Sequence, residues 1–115
     1  MKGAAALLAM AAALVASAAG ANEPLSYDQA VSRLRACATA GATNAPHASL
    51  RVAVIAVRSL CRPQIDRVYD GSDERVAADN PDASADLLDE LRAKARRRID
   101  RDLAVLVSTQ TGLAE

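Results

Sequence analysis

The stretch SLRVAVIAVRSLCRP, residues 49–63, decides the fold, because it fits a buried strand and a buried helix equally well. Four of its residues are β-branched and favour a strand: Val52, Val54, Ile55 and Val57. No second strand candidate exists after residue 21, and a lone strand would leave its backbone N–H and C=O groups unpaired. The stretch therefore predicts a helix, and the chain is expected to be all-α.

As a helix, the stretch has Ser49 as a possible N-cap and an apolar face: Leu50, Val54, Val57 and Cys61. Pro63 lacks an N–H and clashes with the preceding turn, so a kink or a restart is expected there. The apolar spacing continues to residue 69, where Asp70-Gly71 reads as a turn. We expect a second helix over about residues 50–69, followed by at most one short helical turn before Asn80-Pro81.

Upstream of this stretch, the pattern predicts a first helix over about residues 27–40. Ser26 and Gln29 have the spacing of a capping box, in which each side chain binds the other residue's backbone N–H. Gly41 is the expected stop, and GATNAPHA, residues 41–48, has the composition of a surface loop.

Downstream, residues 84–110 predict the longest helix, with Gly112 as its C-cap. Its apolar face is expected to pack across the first two helices through Leu88, Leu91, Ile99, Leu103 and Leu106. Its outer face carries opposite charges four residues apart, which stabilise a helix by a few tenths of a kcal/mol, about 0.2–0.5 per pair: Glu90–Lys94, Arg96–Asp100 and Arg98–Asp102.

The chain begins MKGAAALLAMAAALVASAAGANEPL, in which one charge at Lys2 precedes an apolar run and small residues at signal-peptidase spacing. We expect residues 1–21 to be a secretory signal peptide that is cleaved after Ala21. An uncleaved anchor is the alternative, but the run is shorter than the ~20 apolar residues that span a bilayer. The protein is therefore expected in the periplasm or outside the cell.

Residues 22–115 have the length of one domain, expected to hold three helices, or four if the second restarts at Pro63. Phe and Trp are absent and only two Tyr are present, so small aliphatic residues must fill the core. The chain has 14 basic and 14 acidic residues, and loss of Lys2 leaves 13 against 14. This balance provides no field that would attract nucleic acid.

Cys37 and Cys61 lie 24 positions apart, and an even cysteine count in an exported chain predicts a disulfide. The pairing requires the second helix to overshoot the first by about two turns, roughly 12 Å, which the loop can span. A redox pair is the weaker alternative because redox catalysts usually have C-x-x-C. A zinc site would need two further ligands.

Other candidates for chemistry are weak. His47 lies in the loop at residues 41–48, and the sequence contains no G-x-S-x-G elbow that would supply a nucleophile for it. A solvated histidine is therefore favoured over a catalytic one. DGSDE, residues 70–74, lacks the alternating ligands of a calcium loop and reads as a turn. We expect no catalytic residue, no metal site and no cofactor.

The cluster KARRRIDRD, residues 94–102, is the strongest basic segment. Interleaved acids at Asp100 and Asp102 favour a solvated helix face. The alternative is contact with an anionic surface such as lipid headgroups, for which the sequence offers Arg92, Arg96, Arg97 and Arg101.

The segments SYDQAVSRLRACATAG (26–41) and RSLCRPQIDRVY (58–69), a loop between them and a charged C-terminal helix resemble small exported alphaproteobacterial proteins of unknown function. The resemblance covers most of the chain after residue 21, and its motif is two cysteines on consecutive helices. It implies a helical periplasmic protein and carries over no catalytic residues.

These features predict a non-catalytic protein rather than an enzyme. Its amphipathic helices suggest that it binds a protein or peptide partner in the cell envelope. The alternative is peripheral association with a membrane surface through the arginine-rich face. A homodimer through the C-terminal helix is a further option, since it would complete a core that is rich in alanine.

Overall fold

The computed structural model describes residues 25–44 and 47–114, which form four helices. They are α1 (Tyr27–Thr43), α2 (Leu50–Leu60), α3 (Arg62–Asp79) and α4 (Ala85–Thr111). The described residues contain no strand, so the stretch at 49–63 is helical and the all-α prediction is confirmed. The expected signal peptide, residues 1–21, lies outside the described residues.

Helix α1 runs antiparallel to α3. Its first residue, Tyr27, lies against Gly71 near the middle of α3. At its other end, a disulfide joins Cys37 to Cys61, immediately before α3, and this confirms the predicted bond. The bond therefore fixes both the direction and the register of the pair.

Helix α4 runs antiparallel to α3 and thus in the same direction as α1. Salt-bridged Asp73 and Arg96 mark the level at which α3 and α4 meet. Helix α2 packs against α1 and α4, with Val57 and Leu60 next to Gly41 near the C-terminal end of α1. The result is a three-helix bundle of α1, α3 and α4 with α2 packed at one end.

The core is built from small side chains. Four of the buried hydrophobic residues are alanines, three of them on α1, which lets neighbouring helices approach α1 closely. The buried set is Ala30, Leu34, Ala38, Ala42, Leu50, Ala53, Val57, Cys61, Ile65, Val68, Leu103 and Val107.

Three helix ends have the caps that the sequence suggests. Ser26 and Gln29 form the reciprocal capping box. Ser49 accepts a hydrogen bond from the N–H of Val52, and Gly112 closes α4 with a positive φ of 71°. These local contacts explain why the helix starts were readable from sequence.

Two glycines that were expected to end helices lie inside them instead. Helix α1 continues through Gly41 to Thr43, and α3 continues through Asp70-Gly71 to Asp79. A Cβ on Gly71 would lie 2.8 Å from Cδ2 of Tyr27. Gly71 is therefore needed for close helix packing, and the expected turn at residues 70–74 is wrong.

The second helix breaks before Pro63. Cys61 adopts φ −100° and ψ 19°, outside regular helical geometry, and separates α2 from α3. Pro63 cannot donate to the carbonyl of Ser59, whereas Cys61 still donates to Val57 and accepts from Ile65. The expected helix at 50–69 is thus two helices, which together extend to residue 79.

Helix α4 packs less completely than expected. Of the five predicted contact residues only Leu103 is buried, and Val107, which was not among them, is fully buried. No residue from Asp73 to Asp102 is buried. The last turn of α3 and the first turns of α4 therefore form a two-helix projection, the α3–α4 tip, defined as residues 76–91.

Candidate functional site

A polar cluster joins α2, α3 and α4. The guanidinium of Arg58 donates from Nη1 to Oδ1 of Asp100 at 2.9 Å and from Nη2 to the hydroxyl of Tyr69 at 3.2 Å. The hydroxyl of Tyr69 donates to the same carboxylate oxygen. Each of the three side chains comes from a different helix, so the cluster links the bundle across the α2–α3 break.

The surroundings of this cluster alter its ionisation. Burial, followed by the hydrogen bond to Asp100, raises the pKa of Tyr69 above its usual value. Hydrogen bonds to Tyr69 and then Asp100 raise the pKa of Arg58. The phenol is thus held neutral beside an ion pair, which suits a structural link between the three helices.

Arg96 extends the cluster along α4. It donates from Nε and Nη2 to the two carboxylate oxygens of Asp73, at 3.2 and 2.5 Å, and lies 4.7 Å from the centre of the Tyr69 ring. The hydrogen bond to Asp73 raises the pKa of Arg96. The sequence had paired Arg96 with Asp100 on the outer face, but both residues instead bind other helices.

The four arginines that the sequence grouped for an anionic surface divide into two pairs. Arg92 and Arg96 are half-buried on one side of α4, and Arg92 Nε is buried without a hydrogen-bond partner. Arg97 and Arg101 are exposed one turn apart on another side. Only the second pair is free to meet a flat surface.

The cysteines have a structural environment. Cys61 has no exposed surface and Cys37 is half-buried, and their Cα atoms are 5.9 Å apart in the disulfide. Neither is available as a thiol nucleophile while the bond is intact.

His47 lies where the C-terminal ends of α1 and α4 meet. It lines a shallow cleft of about 520 Å³ with residues such as Asn44 and Gln110, and its Nε2 atom is buried without a hydrogen-bond partner. Ser49 is nearby in sequence, but its hydroxyl caps α2. The hydroxyls of Thr43 and Thr111 also line the cleft, but they donate to backbone carbonyls of their own helices, and no carboxylate is among the lining residues.

An apolar groove runs between α1 and α4, with a volume of about 560 Å³. We call it the α1–α4 groove and define it by Tyr27, Val31, Ile99, Val105 and Leu106. Buried residues form its floor, and Val105 is 60% exposed beside it. Arg35 on α1 and Asp102 on α4 supply charges of opposite sign at its edges.

Sequence reasoning missed this groove. The available signal was Val105, an apolar residue next to the predicted apolar stripe of α4. An apolar stripe that is wider than a single helix contact requires indicates a second apolar surface. The groove itself could be recognised only once α1 and α4 were known to run parallel.

A second apolar surface lies on α2, which is the shortest helix. Three of the five large exposed hydrophobic residues in the described chain lie there: Val52, Ile55 and Leu60, exposed by 49%, 56% and 62%. Helical spacing places Arg51 on the same side of α2 as Val52 and Ile55, and Arg62 is the first residue of α3; both arginines are exposed. We call the surface of Arg51, Val52, Ile55 and Arg62 the α2 face.

Residues 25–44 and 47–114 contain no group of three or more His, Cys, Asp or Glu side chains placed to hold a metal ion. Among these residues, no helix combines the length and the apolar character that a membrane crossing requires.

Comparison with known proteins gives no assignment. No protein-family model matches the chain, and no curated protein and no solved structure shows significant similarity to it.

Proposed function

We infer that this chain is an exported, non-catalytic binding protein whose α1–α4 groove receives an amphipathic helix from another cell-envelope protein. The observation that carries this function is the groove itself, an apolar channel of about 560 Å³ beside Val105, which is 60% exposed. The Cys37–Cys61 disulfide supports an oxidising compartment, since such bonds are rare in reducing cytosol.

The shape of the groove favours a helical occupant. Its α4 wall extends from Ile99 to Gln110, which corresponds to about 16 Å or three helical turns. Two helices with the same direction present parallel ridges, and a third helix can place apolar residues spaced by three or four positions between them. A partner helix of about three turns therefore fits.

The charges at the edges suggest the orientation of the partner. Arg35 is exposed on the α1 side and Asp102 is exposed on the α4 side. A partner helix with an acidic residue on one flank of its apolar stripe and a basic residue on the other would match both. Rim charges of this kind select a partner and a register more than they add affinity.

Photo-crosslinking in intact cells tests this function. A photoreactive residue replaces Val31 or Val105 in the groove, and Ala36, which is exposed on α1 outside the groove, is the matched control position. We expect a protein adduct of defined mass from both groove positions, and none from position 36. The crosslinked peptide should have apolar residues at helical spacing.

A blocking variant makes the test specific. Val105→Glu adds a charge at an exposed position, so the fold is retained while the groove becomes unfavourable for apolar side chains. The adduct from position 31 should disappear in this variant. Equal adducts at 31 and 36, an adduct that survives Val105→Glu, or the absence of any adduct would each contradict the function.

Association with an anionic membrane surface is the second candidate, favoured by the exposed pair Arg97 and Arg101. Co-sedimentation with phosphatidylglycerol vesicles tests it, with phosphatidylcholine vesicles as the control. Binding to the anionic vesicles that fades as salt rises, and that is lost in Arg97→Ala/Arg101→Ala, would favour this candidate. No sedimentation with either vesicle would exclude it.

A further inference from the structure

We propose that copies of this chain associate head to tail, with the α3–α4 tip of one copy seated on the α2 face of the next. Neither surface includes a wall of the α1–α4 groove. The association is therefore independent of the proposed function, and each can fail without the other.

The α2 face has the composition of a docking surface. Exposed apolar residues that are scattered singly are normal, but the α2 face holds two of the five large ones among the described residues, Val52 and Ile55, only three positions apart. The surrounding charge is of one sign, because residues 49–63 contain three arginines and no acidic residue. Arg58 is bound to Asp100, so Arg51 and Arg62 provide the exposed positive rim.

The α3–α4 tip has the opposite charge. Residues 76–91 contain five acidic residues and no basic residue. Three of the acids lie in the first turns of α4, where the helix dipole favours them, but Asp79 ends α3, where the dipole opposes it. Helix stability therefore does not account for all of this charge.

The tip also has no buried side chains of its own. None of residues 76–91 is buried, and Leu87 is 44% exposed among the acids Asp86 and Glu90. An exposed apolar side chain with an acidic surround is the complement of Val52 and Ile55 with their arginines. Seating one on the other covers apolar surface on both and brings opposite charges together.

The positions of the two surfaces exclude contact within one molecule. Helix α4 is about 40 Å long, and the tip lies at its N-terminal end. The α2 face lies at the other end of the bundle, where α2 packs beside Gly41 and the C-terminal part of α1. A tip can reach an α2 face only in another copy.

Charge also excludes the symmetric pairings. Two α2 faces would oppose arginine with arginine, and two tips would oppose acid with acid. The favourable contact joins two different surfaces, and such heterologous contacts continue into rings or open filaments. The partner of this face is therefore a further copy of the chain, which adds in one direction.

Light scattering on the oxidised chain tests the association. For the native chain we expect a mass that rises with protein concentration and decreases toward that of the monomer as salt screens the charged rims. Ile55→Glu disables the α2 face and Leu87→Arg disables the tip, and both positions are exposed, so neither variant disturbs the core. Each variant by itself should be monomeric.

The decisive sample is an equal mixture of these two variants. The intact tip of Ile55→Glu can seat on the intact α2 face of Leu87→Arg, and the two substituted surfaces bring an added acid opposite an added base, so they can also pair. The mixture should therefore have at least twice the monomer mass, although each variant by itself is monomeric. Val105→Glu, at an equally exposed apolar position outside both surfaces, should assemble like the native chain.

Three results would overturn the association. They are a native chain that stays monomeric at every concentration, a dimer formed by either single variant by itself, and a mixture that remains monomeric. A dimer of Leu87→Arg by itself would instead indicate a symmetric contact between α2 faces.

Discussion

Tyr69 has two roles in the bundle. Its hydroxyl donates to Asp100 on α4, and its ring faces the guanidinium of Arg96 at 4.7 Å. A phenol in this position is best kept protonated, because a phenolate would face the Asp100 carboxylate. The raised pKa of Tyr69, due first to burial and then to this hydrogen bond, reflects that preference.

The raised pKa of Tyr69 leads to a prediction about stability at alkaline pH. The unfolded chain releases the tyrosine proton near pH ~10, while the folded chain retains it to higher pH. The contribution to stability is therefore complete below about pH 10 and is lost as pH rises through the folded-state pKa. Tyr69→Phe should remove this part of the decline in the free energy of unfolding.

Urea unfolding from neutral pH to pH ~11 measures this difference. At neutral pH the variant should be less stable by about 1 kcal/mol, because Asp100 and Arg58 each lose a partner. Above pH ~10 the two curves should converge. Parallel curves for the native chain and the variant would show that Tyr69 does not titrate differently on folding.

At the scale of helices, glycine position decides how α1 and α3 pack. Gly71 faces the ring of Tyr27, and the guanidinium of Arg75 lies over the same ring, 4.6 Å from its centre. Gly41 faces Leu60, whose side chain is 62% exposed and free to rotate away. Both glycines thus lie inside helices, but they differ in their tolerance for a methyl group.

Alanine substitutions at these glycines should have opposite effects. Gly41→Ala should stabilise the protein by about 0.5–1 kcal/mol, because alanine is the better helix former. Gly71→Ala should destabilise it by about 1 kcal/mol, because overpacking against Tyr27 outweighs the same gain. Urea unfolding measures both free energies.

Tyr27→Ala provides the control for this pair. Without the ring, Gly71→Ala should become stabilising, since only the helix propensity remains. A destabilising Gly71→Ala in the Tyr27→Ala background would mean that the methyl group clashes elsewhere.

The same residues show how much of the fold could be predicted. Caps such as Ser26 and Ser49 act on backbone groups three residues away, so the sequence around them contains the whole interaction. The cysteine pairing was also predictable from the even cysteine count and the expectation of an oxidising compartment. Gly71 was misread because its role depends on Tyr27, 44 positions away, and local sequence cannot show that contact.

The exposure of the candidate surfaces also depends on contacts between helices that the local sequence does not show. The apolarity of residues 49–63 favoured a buried helix, whereas Val52 and Ile55 are exposed on it. How many neighbours cover a helix is a property of the bundle, and α2 lies at its end. The sequence likewise grouped Arg96 with Arg97. Asp73 on α3 binds Arg96, whereas Arg97 remains exposed.

At the scale of the whole molecule, a core with four alanines and no buried aromatic residue gives little stabilisation, so the disulfide is a large part of the total. The Cys37–Cys61 bond closes a loop of 24 positions. Loss of that closure should lower the free energy of unfolding by about 3 kcal/mol.

Urea unfolding with and without a reductant measures the contribution of this disulfide. The Cys37→Ala/Cys61→Ala variant is the control, and it should be as unstable as the reduced chain and indifferent to the reductant. If reduction left the unfolding midpoint of the native chain unchanged, the helices would hold their register without the covalent bond.

The position of this bond also governs how the molecule responds to mechanical force. Tension applied to the two ends of the chain passes through the sulfur atoms from Cys37 to Cys61 and bypasses the segment between them. About 80 Å of extended chain is thereby withheld when the protein is pulled apart. Under tension the residues between the two cysteines, α2 among them, bear no load, whereas the rest of the chain can unravel. The fully extended oxidised protein is therefore shorter than the reduced protein by this length.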